Sequence, residues 1–296
     1  MSMVKTGAGE IGLVVAGAVR ESMAKASAGL TVATYIEGQA PLSWDLIADA
    51  GWDMAGVVED EDSATLRDLV EIAGAWGESF IQLPLLTTIL AKRHSAAAAE
   101  VDGPVTFSIP AQSLPVATGF VPFGQLSGIS IVKSFAPPGA VETLGGILPL
   151  AFAPSLLGAS STTLTVLTDA VRREFAVVWA AEAAGIVKRV LADAVEFTKQ
   201  RQQFGRPIGS FQAVKHHLAN AHMAAQQAET AVIWASLDHE RAEQAVRQSF
   251  RESFRSIQLS IQVYGGLGFT WEMGVHFFLR HIVSLRELAT GVIAHA

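Results

Sequence analysis

The sequence predicts a mainly α-helical protein in three parts: an N-terminal helical domain at residues 1–100, a shortened β segment at 101–160 and a helical bundle at 161–296. Apolar residues recur at helical spacing along most of the first part. The second part carries short apolar runs among Gly, Pro and Ser, which is typical of strands and turns. In the third part, apolar residues return with a period near 3.6, which predicts long antiparallel helices.

The N-terminal part divides into several helices. Residues 9–24 and 43–94 hold the apolar positions at helical spacing. Asp62 and Ser63 are predicted N-caps for a helix that buries the apolar residues of 66–73. Pro84 then predicts a break before a short helix that ends near residue 92.

The C-terminal part predicts four helices. The first spans Asp169–Arg201, where Gly185 is the only interruption of the alternating apolar and polar faces, and the second ends near Leu237. The third spans His239–Tyr264, and the last spans Glu272–Leu288 after a glycine turn.

Composition restricts the class of protein. Half of the residues are hydrophobic and 17% are charged, with a mean hydropathy of +0.35. The most apolar stretches, 144–159 and 175–187, are interrupted by proline or glutamate and are shorter than the roughly 20 residues of a membrane span. We therefore expect the surplus apolar surface to serve protein contacts.

Charge, cysteine content and histidine spacing exclude several functions. The 21 basic residues are scattered among 28 acidic ones, which predicts no nucleic-acid partner. There is no cysteine, and the spacing of His216, His217 and His222 does not gather them on one helix face, so no metal site is predicted. The N-terminus lacks a convincing cleavage site, so we expect a cytoplasmic protein.

A polar corner follows the first long helix, where Arg201 leads into Phe204, Gly205 and the opening turn of the next helix at Gln212. Arg201 can form charge-assisted hydrogen bonds to a pyrophosphate, and Phe204 offers a flat contact to a planar ring. The alternative is an ordinary interhelical loop with Phe204 and Phe211 in the core.

A glycine-rich turn lies between the third and fourth helices, at Gln262–Phe269. Consecutive glycines at Gly265 and Gly266 let a backbone approach a phosphate that a Cβ would block. No strand precedes the turn, so it matches neither a Rossmann fingerprint nor a P-loop. A plain interhelical turn is the alternative interpretation.

These two motifs, followed by a helix that carries an arginine, closely resemble the C-terminal domain of acyl-CoA dehydrogenases. The similarity covers about 130 residues well and the N-terminal helices more loosely. The matching residues are Arg201, Phe204, Gly205, Ile208, Phe211, Gln212, Gln262, Gly265, Gly266, Gly268, Phe269 and Arg280.

The resemblance implies an N-terminal helical domain, a β domain and a C-terminal four-helix bundle. It also implies an enzyme that removes a proton from Cα and a hydride from Cβ of an acyl-CoA thioester, with FAD as the hydride acceptor. In the family, one subunit holds the ADP half of FAD and the β domain of its neighbour holds the isoalloxazine. The residues assigned to the ADP half are Arg201, Phe204, Gln212, Gln262, Gly265 and Gly266.

The sequence departs from the family pattern at the flavin ring and at the catalytic base. No tryptophan lies between residues 103 and 148, and 107–112 is at most a remnant of the ring-binding loop. The two positions at which the family places a base hold Phe175 and Ala289. Glu174 and Glu287 are the candidates nearest to these positions, but shifts of one and two residues rotate a helical side chain by about 100° and 200°.

The leading hypothesis is a base-deficient subunit of a heteromeric acyl-CoA dehydrogenase, inactive alone, that completes the FAD site of a full-length partner. The resemblance implies an α2β2 assembly, an acyl-CoA substrate, by analogy a steroid-derived one, and an acceptor of the electron-transfer flavoprotein type. One rival is a self-sufficient homo-oligomer in which Glu287 or Glu174 serves as the base. The other is a non-enzymatic helical dimerisation module.

Overall fold

A computed structural model describes residues 7–26, 28, 31–32, 43–58, 63–79, 81, 83–110, 119–135, 141–143, 159–161 and 164–294. The predicted N-cap Asp62 and the end of the possible loop remnant, residues 111–112, lie outside these ranges. The described chain is mainly helical, which confirms the predicted fold class.

The N-terminal part consists of short and medium helices around a buried apolar centre. Ile72 and Trp76 of one helix pack in the same core as Leu85 and Ile89 of the next. The elements are α1 (Glu10–Ala26), α2 (Trp44–Asp49), a 3₁₀ turn (Trp52–Met54), α3 (Leu66–Ser79), α4 (Leu85–His94) and α5 (Ala96–Ala99).

The start of α3 differs from the prediction, because Thr65 and not Asp62 or Ser63 precedes its first turn. The Thr65 hydroxyl accepts a hydrogen bond from the Asp68 amide at 3.2 Å, and the Asp68 carboxylate accepts one from the Thr65 amide at 2.9 Å. This reciprocal pair is a capping box. The same carboxylate also accepts from the amides of Gly9 and Gly12, which holds α1 against α3.

The central segment forms two three-stranded sheets with the orders β1-β4-β5 and β2-β3-β6. In the first sheet, β1 pairs with β4 in parallel and β5 pairs with β4 antiparallel, whereas the second sheet is antiparallel throughout. The strands are β1 (Val105–Phe107), β2 (Ile109–Pro110), β3 (Gly119–Val121), β4 (Ser130–Val132), β5 (Val141–Thr143) and β6 (Ala159–Ser161).

The C-terminal part is a bundle of four long helices. Two helix starts differ from the prediction. The third helix begins at Ala242 rather than at His239, because the Asp238 carboxylate accepts the amides of Glu240 and Arg241 in a turn before it. The last begins at Val275 rather than at Glu272, directly after Gly274, where φ is +63°. The helices are α6 (Asp169–Gln200), α7 (Gln212–Leu237), α8 (Ala242–Tyr264) and α9 (Val275–Ala294).

Gly185, where the apolar and polar alternation is interrupted, does not break the helix: α6 continues through it, as predicted. Gly185 instead allows α3 to cross α6 closely: a Cβ there would lie 2.0 Å from the carbonyl oxygen of Gly74. Gly77 has the same role from α3, because its Cβ would lie 2.1 Å from the carbonyl oxygen of Glu182. These glycines bring two helix backbones into direct contact.

The apolar residues of the three parts meet in one core. Trp76 of α3, Phe107 of β1 and Trp179 of α6 belong to the same cluster of buried side chains. Across the described residues, no helix combines the length and hydropathy that crossing a membrane requires.

Candidate functional site

Three helix ends meet at one end of the bundle, here called the Arg201 end. The rings of Phe197 on α6 and Tyr264 on α8 are 4.5 Å apart, which joins the C-termini of these helices. A 3₁₀ turn at Ile208–Ser210 leads into α7, and the Ile208 amide donates a hydrogen bond to the Arg201 carbonyl at 2.8 Å. The residues predicted to bind the ADP half of FAD all lie at this end: Arg201, Phe204, Gln212, Gln262, Gly265 and Gly266.

A tight hairpin follows Arg201 and projects Phe204 into solvent. Two short strands, β7 (Gln202–Gln203) and β8 (Arg206–Pro207), flank Phe204 and Gly205, whose φ angles are +53° and +78°. Phe204 is 90% exposed, so the alternative that it packs in the core is wrong. A bulky residue with positive φ stores strain, which is often found at functional sites.

Phe211 packs against both Phe204 and Arg206 at this corner. It is half-buried, its ring lies edge-on to that of Phe204 at 6.1 Å, and the Arg206 guanidinium lies 4.1 Å from its ring centroid. Arg206 is thus engaged by an aromatic face. The corner presents one fixed cation, Arg206, beside an exposed aromatic ring.

The polar side chains of the Arg201 end are exposed and largely uncommitted. Arg201 and Gln262 make no side-chain hydrogen bond or ion pair with any described residue. Gln212 lies with its amide nitrogen 3.1 Å from Nε2 of His216, one turn along α7. An exposed guanidinium and two amides are donors suited to a phosphate or pyrophosphate.

The glycine turn leaves its backbone open. Gly265 has φ +61° and ψ −140°, a conformation that favours glycine, and ends α8. A Cβ on Gly265 or Gly266 would meet no atom within 4 Å, so the space outside the turn is free. Gly268 is different, because its Cβ would lie 3.0 Å from the Ile261 carbonyl oxygen. Gly265 and Gly266 therefore leave room for a ligand to approach the backbone, whereas Gly268 allows the turn to pack closely against α8.

Glu174, the first candidate base, is held in an ion pair at the opposite end of α6. Its carboxylate lies 2.7 Å from Arg93 Nε and 3.0 Å from His94 Nε2 on α4. Burial raises the pKa of Glu174, but the hydrogen bond with His94 and the charge of Arg93 lower it by more, so this pKa lies below its ordinary value. Abstraction of a Cα proton benefits from a raised pKa, so this environment fits a structural ion pair better.

Glu287, the second candidate, lies half-buried on α9 beside Arg286, whose guanidinium is 3.4 Å from its carboxylate. The positions that the family resemblance assigns to a base are apolar and buried: Phe175 is 0% exposed and Ala289 is 1% exposed. Phe175 stacks on Phe107 at 4.2 Å. An aromatic contact thus fills the first of these positions.

The candidate acids and the Arg201 end are far apart. Glu174 and Arg201 are separated by 27 residues of one helix, which is about 40 Å at 1.5 Å per residue. Arg172 at the start of α6 donates to the carbonyl of Val292 near the end of α9, so Glu287 also belongs to the far half of the bundle. The structure does not bring the two predicted groups together within one chain.

Sequence reasoning missed a buried polar pair in the centre of the bundle. Glu182 on α6 and His281 on α9 are both buried, and Nε2 of His281 lies 2.7 Å from the Glu182 carboxylate. The two residues are 99 positions apart, and neither belongs to a recognisable motif. Only the tertiary structure reveals the pair, which ties α6 to α9.

Comparisons with known proteins agree with this architecture. Residues 173–291 match the family model for the acyl-CoA dehydrogenase C-terminal domain. The chain is 30% identical over 270 residues to acyl-CoA dehydrogenase FadE34 of Mycobacterium tuberculosis, covering 78% of this chain and 38% of that protein. It is 27% identical over 256 residues to acyl-CoA dehydrogenase IpdE2 of the same organism, covering 80% of this chain and 79% of that protein. The chain thus spans well under half the length of FadE34 but most of the length of IpdE2.

Solved structures share the fold across almost the whole chain. A chain of the ChsE4–ChsE5 complex from Mycobacterium tuberculosis superposes with a TM-score of 0.75 at 18% identity, covering 99% of this chain and 97% of that one. The Tcur3481–Tcur3483 steroid ACAD superposes with a TM-score of 0.68 at 16% identity, covering 96% and 95%. Residues 173–291 are therefore an acyl-CoA dehydrogenase C-terminal domain, within a chain of acyl-CoA dehydrogenase-like fold.

Proposed function

We propose that this chain is a subunit of a flavin-dependent acyl-CoA dehydrogenase and supplies the ADP-side half of an FAD site to a partner subunit. One observation carries the proposal. Exposed, uncommitted donors gather at the Arg201 end, whereas Phe175 and Ala289, at the positions expected for a base, are buried and apolar. A chain that only completes its partner's site requires these donors and does not require a catalytic base of its own.

The dimensions of the bundle support sharing across a subunit interface. The separation of about 40 Å between Arg201 and Glu174 exceeds the length of an extended FAD molecule. An FAD whose ADP half lies at the Arg201 end therefore cannot present its ring to Glu174 of the same chain. This separation supports placing the ring next to another polypeptide.

The residues of the Arg201 end fit the ADP half of FAD. The Arg201 guanidinium would pair with the pyrophosphate, and the amides of Gln212 and Gln262 would add hydrogen bonds. The open backbone at Gly265 and Gly266 would let the phosphates approach, and the exposed Phe204 ring would cover an apolar part of the cofactor. When bound, FAD supplies the hydride acceptor for α,β-dehydrogenation of an acyl-CoA thioester.

The partner is proposed to be a full-length acyl-CoA dehydrogenase-like chain that provides the flavin-ring site and the catalytic carboxylate. The similarity to a chain of the two-component ChsE4–ChsE5 complex supports a heteromer, which we propose to be α2β2. The similarity to a steroid ACAD supports a bulky, steroid-derived acyl group. An acceptor of the electron-transfer flavoprotein type would reoxidise the complex.

The test is a paired substitution in the complex of this chain with a co-expressed dehydrogenase-like partner chain. Arg201→Ala with Gln262→Ala is expected to remove most bound flavin and turnover while assembly on a sizing column persists. Arg241→Ala with Gln244→Ala, an exposed pair at the far end of α8, is the matched control and is expected to keep both. Full flavin content and activity in the Arg201/Gln262 variant would refute the proposal.

A further inference from the structure

A groove of about 540 Å³ lies between α8 and α9, outside the Arg201 end. Its floor is apolar: Val246, Phe250 and Phe254 recur at every fourth position of α8, and Ala289 and Ile293 face them from α9. We call this feature the arginine groove, defined by residues 246–258 and 286–293. A glutamate in place of Ala289 would put a carboxylate in this floor, so the apolar residue there keeps the groove free of negative charge.

Four arginines form the rim of the groove. Arg247, Arg251 and Arg255 follow one another at every fourth residue of α8, and their side chains are 55%, 71% and 59% exposed. Arg286 faces them from α9, with its guanidinium 5.3 Å from the ring centroid of Phe254. No carboxylate belongs to the groove lining among the described residues.

The acids near the rim only partly balance these cations. Glu243 pairs with Arg247 at 2.7 Å, and Glu287 with Arg286 at 3.4 Å. Glu252 is shared, since Arg251 and Arg255 lie 3.5 and 3.7 Å from it. Four arginines therefore face three carboxylates, on a chain whose net charge is −7. The groove is a local positive surface on an otherwise acidic protein, and it favours an anionic occupant.

We propose that the arginine groove binds an acidic amphipathic helix of the partner subunit. Residues 246–258 rise about 18 Å along α8, which matches roughly three turns of a docked helix. A row of apolar side chains between two helices receives the apolar face of a third, and the rim arginines pair with acids on its flanks. The identity of the occupant as the partner subunit rests on the proposed function, whereas the chemistry of the groove does not.

The first test uses the 296-residue chain and a defined probe. The probe is a fluorescein-labelled 18-residue peptide designed as a helix with leucines on one face and glutamates on both flanks, and its binding is followed by fluorescence anisotropy. Arg251→Glu with Arg255→Glu is expected to weaken binding by about tenfold or more. Lys25→Glu with Arg241→Glu makes the same change in net charge on exposed residues elsewhere and is expected to leave binding unchanged.

Three results of this test would overturn the proposal. The first is that a scrambled peptide of the same composition binds as well as the designed one. The second is that the control variant loses as much affinity as the groove variant. The third is that inorganic pyrophosphate displaces the designed peptide at micromolar concentration, which would assign the groove to a small phosphorylated ligand. Circular dichroism checks that both variants fold, and Arg251→Gln with Arg255→Gln provides a milder variant.

The second test identifies the occupant in the assembled complex. A photocrosslinking amino acid at Gln258 or Thr290, on the two sides of the groove, is expected to label an acidic helix of the partner. Labelling of a second copy of this chain, or of no protein in an intact complex, would refute the inference and leave the proposed function standing. If no complex forms, the proposed function fails, and the peptide measurements still decide the chemistry of the groove.

Discussion

The substitution Glu174→Gln tests whether Glu174 is a structural carboxylate or a catalytic base. In the structure, Glu174 accepts from Arg93 at 2.7 Å and lies 3.0 Å from His94, and 16% of its side chain is exposed. Hydrogen bonds to charged groups each contribute about 1.5–3 kcal/mol. Arg93 also donates to the carbonyls of Gly56 and Ala64, so its guanidinium keeps acceptors after the change. We expect a loss of about 2–3 kcal/mol, which lowers Tm by roughly 4 °C for a chain of this length.

The stabilisation by Glu174 also depends on pH in a defined direction. Because its pKa is lowered in the folded state, its contribution is fully present above its ordinary value of 4.5. The contribution is lost as pH falls through the lower, folded-state pKa. The Tm difference between wild type and Glu174→Gln should therefore persist from neutral pH down to about pH 5 and shrink in more acidic buffer.

Thermal unfolding and turnover of the partner complex, measured on the same preparations, complete this test. Glu174→Gln is expected to lower Tm and leave turnover per flavin unchanged. Glu287→Gln is the control, with an expected cost below about 1 kcal/mol, because its one ion pair among the described residues is with its neighbour Arg286 near the surface. Unchanged stability with turnover abolished would refute the structural assignment and identify Glu174 as the base.

Three further substitutions have defined outcomes in thermal or denaturant unfolding. Gly77→Ala is expected to lower the free energy of unfolding by about 2 kcal/mol, because the added Cβ meets the Glu182 carbonyl. Gly74→Ala is the control and is expected to be neutral or stabilising, because its Cβ would meet no atom within 4 Å. Equal effects of the two substitutions would contradict the close crossing of α3 and α6. Thr65→Val should cost about 1 kcal/mol by removing the capping box, and no change would place the cap elsewhere. Phe204→Asn should stabilise the isolated chain by up to about 1 kcal/mol but lower flavin retention by the complex, and retained flavin would exclude a ligand role for Phe204.

Local patterns in the sequence predicted most of the helices, because amphipathic periodicity is a property of neighbouring residues. The observed α7, Gln212–Leu237, agrees closely with its prediction. The role of Gly185 could not be predicted in this way, because it depends on the Gly74 carbonyl, which lies more than a hundred residues away in the sequence. The cap of α3 was placed too early because Asp62, Ser63 and Thr65 are all good N-cap residues, and the position of Asp68 selects among them.

Sequence motifs predicted the candidate cofactor-binding residues, whereas side-chain pairs that form only through tertiary packing could not be predicted. The resemblance placed the predicted cofactor residues on two motifs, and the fold brings both motifs to the Arg201 end. The partners of Glu174 lie some 80 residues away on α4, so its ion pair had no sequence signal. The arginines of α8 are visible as a repeat of four, but Arg286 opposite them becomes part of the same groove only through packing.

We propose that this chain contributes half of an FAD site and does not hold FAD alone. The most direct measurement is the visible absorption spectrum, with the ratio of flavin to polypeptide, for the chain purified alone and for its complex with the dehydrogenase-like partner. We expect no flavin in the isolated chain and bound flavin in the complex, at less than one per polypeptide. One FAD per chain in the isolated protein would refute the half-site proposal and would favour a self-sufficient enzyme with Glu287 or Glu174 as its base.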